Sequence, residues 1–218
     1  MSKLAIIRPT LNQCREAFST IIGTKFNIPK SANKGGVGSK LEELLGIPAS
    51  SACLDMCGDN PGGRGAELKA FPVKETNSRT RTLSLYPDNI SVGTYVPAET
   101  VAITMVSPSA IPETVFEESR LYKKINLLMI IAYDRDGDMV SFHQEIMFDL
   151  IADENKDIYE VIKADYADIQ ASYVENGHTS SRVGRYIQVR TKGAGGGAPK
   201  TFAFYFRRQF LAQLMLRR

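Results

Sequence analysis

The chain has 218 residues, of which 43% are hydrophobic, and a formal net charge of +3. This composition supports one sizeable core or two small lobes that share a cleft. No apolar run approaches the roughly 18 residues of a membrane span, we expect no signal peptide, and the three cysteines cannot all pair. Membrane and disulfide-rich secreted classes are therefore excluded, and we expect a cytoplasmic protein.

The predicted elements mix helices and strands along the chain. A glycine-rich segment leads into a helix with Leu41, Leu44 and Leu45 at helical spacing, which ends at Gly46. Alternation and turn residues predict strands at 51–56, 66–73, 81–87, 101–106, 185–191 and 201–206, with a turn at 58–65. Further segments predict a helix start at 116–124, a buried strand at 125–133, an amphipathic helix at 157–177 and a closing helix at 207–215. The fold class is therefore α/β (mixed α+β).

Basic residues are concentrated at the C-terminus. Nine of the 27 basic residues and none of the 24 acidic ones follow Glu175, so the preceding part of the chain carries 18 basic and 24 acidic groups. Such a segment suits a polyanion, because each neutralised phosphate releases condensed counterions. A solvated basic face would have the same composition. Residues 134–168 are acid-rich, and we expect them to form a solvent-facing surface away from any DNA.

One local pattern indicates metal-dependent chemistry. Glu67 and Lys69 lie two residues apart on a predicted strand, so their side chains project to the same face. The preceding hairpin can bring Asp55 or Asp59 beside them. Two carboxylates form an oxygen site suited to Mg²⁺, and a neighbouring ammonium can orient a water or stabilise charge on a phosphate. This is the constellation of the PD-(D/E)XK nucleases, although Glu-X-Lys after an aspartate also occurs by chance on exposed strands.

Further segments resemble the MutH family, which includes a strand-nicking mismatch-repair endonuclease and type II restriction enzymes that cut at GATC. The resemblance rests on the segments 34–38, 41–42, 65–73, 116–125, 184–193 and 203–210, in that order. Enzymes of the MvaI/BcnI type share the first half of this pattern. The resemblance implies a restriction-endonuclease-like central sheet flanked by helices, with two lobes around a DNA cleft. Residues from about 1 to 110 would form the catalytic lobe, and residues from about 111 to 218 would complete the core and recognise DNA.

The resemblance also implies roles for individual residues. Asp55 and Glu67 would be the ligands of Mg²⁺. The residues implied in catalysis are Glu42, Asp55, Glu67, Lys69 and Lys124, with Lys123 as a weaker alternative to Lys124. The residues implied in DNA binding are Lys34, Gly35, Arg190, Lys192 and Tyr205. Arg190 and Lys192 would read bases in the major groove, where arginine or lysine commonly donates to guanine O6 and N7.

Two positions depart from the family pattern. The family's aspartate lies seven residues before the glutamate, whereas Asp59 lies eight and Asp55 twelve residues before Glu67. We favour Asp55, because it lies in an apolar stretch and Asp59 lies in a typical turn sequence, but both remain candidates. Thr191 stands where the mismatch-repair enzyme has proline, which leaves the geometry around the base-reading pair open.

These features lead to one expected function and two alternatives. We expect a Mg²⁺-dependent type II restriction endonuclease that hydrolyses double-stranded DNA, with GATC as the candidate site. The alternatives are a strand-nicking repair endonuclease and a DNA-binding protein with a vestigial nuclease site. The expected partners are double-stranded DNA and a cognate DNA methyltransferase, with no membrane. The enzyme would act as a monomer or as a transient homodimer on DNA.

Overall fold

The computed structural model of the chain describes residues 7–30, 35–49, 54–75, 95–178, 180–192 and 201–216. The helices are α1 (Leu11–Ile21), α2 (Gly36–Leu44), α3 (Ala110–Glu113), α4 (Arg120–Ile125), α5 (Lys156–Asn176) and α6 (Arg208–Leu216). The strands are β1 (Lys25–Asn27), β2 (Glu67–Glu75), β3 (Tyr95–Pro97), β4 (Val101–Val106), β5 (Leu127–Asp136), β6 (Met139–Asp149), β7 (Ile187–Lys192) and β8 (Thr201–Phe206). None of the helices in these ranges has the length and apolar character needed to cross a membrane.

The chain divides into two compact units. The first comprises Met1–Val73 and Leu127–Phe148, and the second comprises Lys74–Asn126 and Asp149–Arg218. This division differs from the expected one at about residue 110, because each unit is built from two separate stretches of sequence. Strands β5 and β6 join the N-terminal unit because they pair with β2 and β1, which lie far away in the sequence.

The sheet of the first unit positions the start of β2. Its strands lie in the order β1-β6-β5-β2. Strands β2 and β5 are parallel, with Glu67 opposite Leu128 and Lys69 opposite Ile130. Residues 128–132 are all buried, as expected for a strand that has neighbours on both sides. The central position of β5 therefore provides a fixed apolar support beside the residues at the start of β2.

Helices α1 and α2 cover this sheet and complete one core. Phe18 of α1 packs edge-on against Phe142 of β6, with ring centroids 6.5 Å apart. Leu41 of α2 and Met129 of β5 are fully buried in the same cluster. Because α2 contributes its apolar face to this core, the helix that carries Glu42 belongs to the same unit as β2.

The second unit is built on a three-stranded antiparallel sheet in the order β4-β8-β7. The long helix α5 contributes Ile158, Ile162 and Ile169 to the buried side. It ends at Gly177 in the left-handed conformation with φ 67°, as is common after a helix C-terminus. Tyr166 of α5 stacks on Phe204 of β8 with ring centroids 5.7 Å apart. The helix is thus fixed against the sheet that carries the basic strand β7.

The mixed α/β class and most of the predicted elements are confirmed, including the helix before Gly46, which has φ 69°. Segment 51–56 is only partly within the described residues, where Met56 forms an isolated bridge with Ala66 instead of a regular strand. The predicted strand 81–87 lies outside the described residues. The acid-rich stretch 134–168 contains strand β6, whose Phe142 and Phe148 are buried, so the acidic composition concealed a core strand.

A polar cluster in the second unit lowers the pKa of one carboxylate, that of Glu117. Glu117 accepts hydrogen bonds from Lys163 and from the hydroxyl of Tyr159, and these bonds lower its pKa to about 2. We expect NMR titration to find this value, and Lys163→Met to raise the pKa toward the ordinary 4.5.

Because the folded-state pKa of Glu117 is lowered, the stability difference between wild type and Lys163→Met should exist above pH 4.5 and disappear as the pH falls toward 2. The control variant Lys156→Met removes an exposed lysine of the same helix and should leave the titration of Glu117 unchanged. A wild-type pKa near 4.5 would contradict the contact.

Candidate functional site

The start of β2 holds a buried charged pair. The Nζ of Lys69 donates to Oε1 of Glu67 at 2.5 Å, which confirms that the two side chains share a face of the strand. Glu67 is only 2% exposed, and Lys69 keeps 16% of its side chain exposed. A carboxylate in such surroundings is tolerated only when it is paired, because its desolvation is costly. The lysine compensates this charge while part of its own side chain remains exposed.

Asp55 is joined to the same strand. Its Oδ2 accepts a hydrogen bond at 2.8 Å from the backbone N–H of Leu68, the residue between Glu67 and Lys69. The backbones of Met56 and Ala66 exchange hydrogen bonds of 2.9 and 3.2 Å, and this bridge aligns the segment beside the start of β2. The structure therefore bonds Asp55 to the peptide between Glu67 and Lys69, on the strand beside which the sequence analysis expected it.

Asp59 has a different location. It is exposed, and its Oδ1 accepts a hydrogen bond from the backbone N–H of Asn12 at 2.8 Å. Asn12 lies in the first turn of α1, where N–H groups lack partners within the helix and negative charge is favourable. Of the two candidate aspartates, Asp55 is thus the one bonded to β2, and Asp59 caps a helix.

The glycines of the intervening hairpin allow this arrangement. A Cβ atom on Gly58 would lie 2.4 Å from the carbonyl carbon of Gly63, and one on Gly65 would lie 2.6 Å from the carbonyl oxygen of Met56. Residues with side chains could not close this hairpin without moving the backbone. The extra residues between Asp55 and Glu67 are therefore accommodated in the hairpin, and the aspartate still reaches the strand.

The Cys14 thiol of α1 lies in surroundings that disfavour its ionised form. Burial raises the pKa of the Cys14 thiol to about 11, and the charges of Asp55 and Asp59 add to this effect. Cys14 is fully buried and donates to the carbonyl of Leu45, so it is a structural residue of α1.

The donor set at β2 fits Mg²⁺ better than zinc. No group of three or more histidine, cysteine, aspartate or glutamate residues that could hold a metal ion occurs in the described part of the chain. Mg²⁺ is commonly held by one or two carboxylates and keeps several waters, whereas zinc sites use three or four cysteine, histidine or carboxylate ligands. Asp55 and Glu67 are two carboxylates of this kind on or bonded to β2, and Lys69 is paired with Glu67.

The remaining residues implied in catalysis, and those implied in DNA binding near α2, lie on other elements of the chain. Glu42 is half-buried on α2 in the first unit. Gly35 is the N-cap of α2, and a Cβ atom there would meet nothing within 4 Å, so sterics alone do not require glycine. Lys34 lies outside the described residues. Lys124 belongs to α4 of the second unit and is 8% exposed, whereas Lys123 is exposed.

The basic strand β7 presents its polar residues on one face. Gln188, Arg190 and Lys192 alternate along the strand, so they project to the same side, while Val189 projects to the core. Tyr205 of β8 lies directly opposite Gln188, and the guanidinium carbon of Arg190 lies 5.5 Å from the centre of the tyrosine ring. This distance is that of a cation–π contact. Three of the implied DNA-binding residues are thus adjacent on this sheet face.

Thr191 continues the regular strand. It lies opposite Phe202 in the same register that places Arg190 opposite Ala203 and Lys192 opposite Thr201. The base-reading pair is therefore carried by a regular β-strand up to Lys192. Residues 193–200, which follow it, lie outside the described residues.

Helix α5 fixes the start of β7 through a buried carboxylate. Asp165 is 4% exposed and accepts backbone hydrogen bonds from Arg185, Tyr186 and Ile187 at 2.6, 2.6 and 2.9 Å. Burial raises the pKa of Asp165, whereas these three N–H groups and the charge of Arg207 act in the opposite direction. Asp165 therefore anchors the strand that carries Arg190 and Lys192.

This anchor was not predicted from the sequence, although a signal was present. Asp165 lies three residues after Ile162 and one before Tyr166, on the apolar face of a predicted amphipathic helix. A charged residue at such a position needs a partner in the folded protein. The partners are backbone N–H groups, which no residue pattern reveals.

Comparisons with known proteins assign the chain to the class of DNA endonucleases. Residues 45–165, more than half of the chain, match the family model for the DNA mismatch repair enzyme MutH. The chain therefore belongs to the MutH family. The solved complex of restriction endonuclease MvaI with its cognate DNA substrate is similar over 98% of this chain and 97% of that chain, with 15% identity and a TM-score of 0.45. No curated protein matches the sequence.

The anchor of β7 leads to a prediction for Gly184. This residue has φ 85°, and a Cβ atom there would lie 2.2 Å from the carbonyl oxygen of Ile187. A left-handed backbone alone costs a residue with a side chain about 1–2 kcal/mol, so we expect Gly184→Ala to lower the free energy of unfolding by more than this. Gly177→Ala is the matched control, because Gly177 has φ 67° but a Cβ atom there would meet nothing within 4 Å. Equal losses for the two variants in urea unfolding would contradict the close approach at Gly184.

Proposed function

We propose that this chain is a Mg²⁺-dependent type II restriction endonuclease that cleaves double-stranded DNA at a specific site. The observation that supports this most directly is the convergence at β2. Asp55 bonds to the Leu68 peptide, Glu67 precedes that peptide on the strand, and Lys69 is paired to Glu67. Family membership supplies the reaction class, and this cluster supplies residues that fit it.

Asp55 and Glu67 would hold the ion, which when bound would supply a water of lowered pKa and positive charge beside the phosphate. The ammonium of Lys69 would orient the attacking water or donate to a phosphate oxygen. Lys124 would approach the scissile phosphate, and Glu42 would add negative charge near the site, as the family resemblance implies. The water oxygen bonds to phosphorus, the bond to the 3′ oxygen breaks, and that oxygen takes up a proton. The products carry a 5′-phosphate and a 3′-hydroxyl.

The second unit would supply sequence recognition. Arg190 and Lys192 are exposed on one face of β7, and their N–H donors match the O6 and N7 acceptors of guanine in the major groove. Tyr205 would contact DNA from β8, and Lys34 and Gly35 would contact it from the start of α2. The excess of positive charge after Glu175 would favour the phosphate backbone. GATC is the candidate recognition site. The enzyme would act on DNA as a monomer or a transient homodimer, and a cognate DNA methyltransferase would be its partner.

Strand nicking in repair is the second candidate. The matched family model is described as that of the DNA mismatch repair enzyme MutH, and the resemblance to that family includes a strand-nicking repair enzyme. Both candidates use the same residues at β2, so the site alone does not separate them. The two candidates are separated by the products that they form from a circular DNA substrate.

A plasmid assay tests the function directly. Supercoiled plasmid, with and without adenine methylation at GATC, would be incubated with the protein and either Mg²⁺ or a chelator. We expect discrete linear fragments only with Mg²⁺. Open circles would establish nicking, and a gel shift without any product would establish DNA binding with a vestigial site.

Substitutions at the charged pair test the active-site assignment. Lys69→Met and Glu67→Gln keep the approximate size of each side chain, and each should reduce the cleavage rate by at least about 100-fold, in the range of a lost catalytic group. DNA affinity in Ca²⁺ should remain measurable, because the contacts of β7 are unchanged. Lys25→Met is a control at an exposed lysine of the same unit that should retain activity. A wild-type rate for Lys69→Met would refute the assignment.

A matched pair of variants decides between the two aspartates. Asp55→Asn and Asp59→Asn each remove one negative charge and retain an oxygen for the hydrogen bond from Leu68 or Asn12. Asp55→Asn should weaken binding of Mg²⁺ in calorimetry and abolish cleavage, because an amide is a poor substitute for a carboxylate ligand. Asp59→Asn should leave both unchanged, and the reverse pattern would show that Asp59 is the ligand.

A further inference from the structure

Gln188 is a buried polar residue that the roles proposed above do not use. It is 2% exposed on β7, two residues before Arg190 and on the same face of the strand. A buried amide has two donors and an acceptor, and leaving them unpaired costs the protein stability. Its partners therefore show what the side chain does.

Those partners are Arg190 and the carbonyl of Ser181. In the amide orientation that matches donors with acceptors, the Gln188 oxygen accepts from Nε and Nη2 of Arg190 at 3.2 and 3.0 Å. Its nitrogen donates to the Ser181 carbonyl at 2.9 Å. One amide thus connects the guanidinium to the backbone that precedes β7.

The carbonyl of Ser181 is itself fixed. Nη2 of Arg207 donates to the carbonyls of Ser181 and Val183 at 2.7 and 2.8 Å, and the backbone N–H of Arg207 donates to the carbonyl of Tyr186 at 2.8 Å. Burial lowers the pKa of Arg207, the negative charge of Asp165 acts in the opposite direction, and the positive charge of Arg190 is a smaller lowering effect. The Ser181 carbonyl is therefore held by Arg207 on one side and accepts from the Gln188 amide as well.

These contacts restrict the guanidinium of Arg190 on two sides. The oxygen of Gln188 accepts from two of the five N–H groups of Arg190, those on the Nε side. The ring of Tyr205 lies 5.5 Å from its central carbon. Three N–H groups on the Nη1 and Nη2 side are not used by Gln188, and that side is a planar fork of the kind that donates two parallel hydrogen bonds to neighbouring acceptors. An arginine held in this way loses little further freedom when it binds a base.

We propose that Gln188 is a specificity-determining positioning residue, which orients the fork of Arg190 toward the O6 and N7 acceptors of a guanine in double-stranded DNA. This inference rests on the proposed function, because it assigns the base contact to Arg190. Gln188 itself touches no base. It acts by holding Arg190 between its own amide and Tyr205.

The experiment compares Gln188→Met with Gln188→Glu. Methionine keeps the length of the side chain but removes both hydrogen-bonding functions, whereas glutamate keeps an acceptor for Arg190 and loses the donor to Ser181. The probe is a duplex that contains the site mapped from wild-type cleavage, and the same duplex with its guanine pair replaced. We expect Gln188→Met to reduce the ratio of the two affinities, measured in Ca²⁺, by about tenfold, within the range for a bidentate base contact. Gln188→Glu should retain more of the ratio.

A double-mutant cycle separates positioning from general stability. In an Arg190→Ala background, Gln188→Met should cause no further loss of discrimination, because the residue through which it acts is absent. Gln170→Met is the matched control, since the amide of Gln170 donates to the backbone carbonyls of Ile111 and Thr114. It should lower the melting temperature without changing the ratio. An unchanged ratio in folded Gln188→Met, or a full additional loss in the Arg190→Ala background, would overturn the proposal.

A second measurement does not depend on cleavage. In DNA-free protein, the Nε–H of Arg190 should exchange slowly with solvent by NMR, and Gln188→Met should make that exchange fast. Fast exchange in the wild type would refute the positioning contact whatever the enzyme does to DNA. If wild type shows no sequence preference, the proposed specificity and the recognition role of Gln188 both fail, while slow exchange would show that the contact itself exists.

Discussion

The buried ion pair of Glu67 and Lys69 is the interaction on which the candidate site depends. Glu67 is 2% exposed, and a carboxylate buried to this extent is stable only with compensation. A lysine two residues along the same strand supplies that compensation directly. The strand that carries the pair is hydrogen-bonded to its parallel neighbour β5, whose residues opposite Glu67 and Lys69 are buried. The Glu67 carboxylate can therefore stay ionised in apolar surroundings. There its attraction for a cation is stronger than it would be in water.

Asp55 completes the cluster through the backbone instead of through another side chain. Its bond to the Leu68 N–H fixes the carboxylate beside β2, and a hairpin closed by Gly58 and Gly65 absorbs the longer spacing to Glu67. In this chain, a spacing of twelve residues between Asp55 and Glu67 is thus compatible with a hydrogen bond from β2 to the aspartate.

In the second unit, buried charged residues hold the basic strand β7 in one orientation. Asp165 receives three backbone N–H groups at the start of β7, and Arg207 holds the carbonyls of the preceding segment. Each uses a partly or fully buried charge to fix backbone groups. The polar face of β7, with Gln188 and Arg190, is the result of these contacts and of strand alternation together.

The sequence by itself determined the family resemblance, the mixed α/β class and the face shared by Glu67 and Lys69, because these depend on residue order and on the two-residue period of a strand. It favoured Asp55 over Asp59 but could not place either, since the hairpin geometry depends on which backbone N–H groups each carboxylate meets. Strand β6 and the partners of Asp165 and Gln188 were also decided only in the tertiary structure. Pairing between distant strands and hydrogen bonds to backbone groups leave no pattern in the side chains, so only the folded chain specifies them.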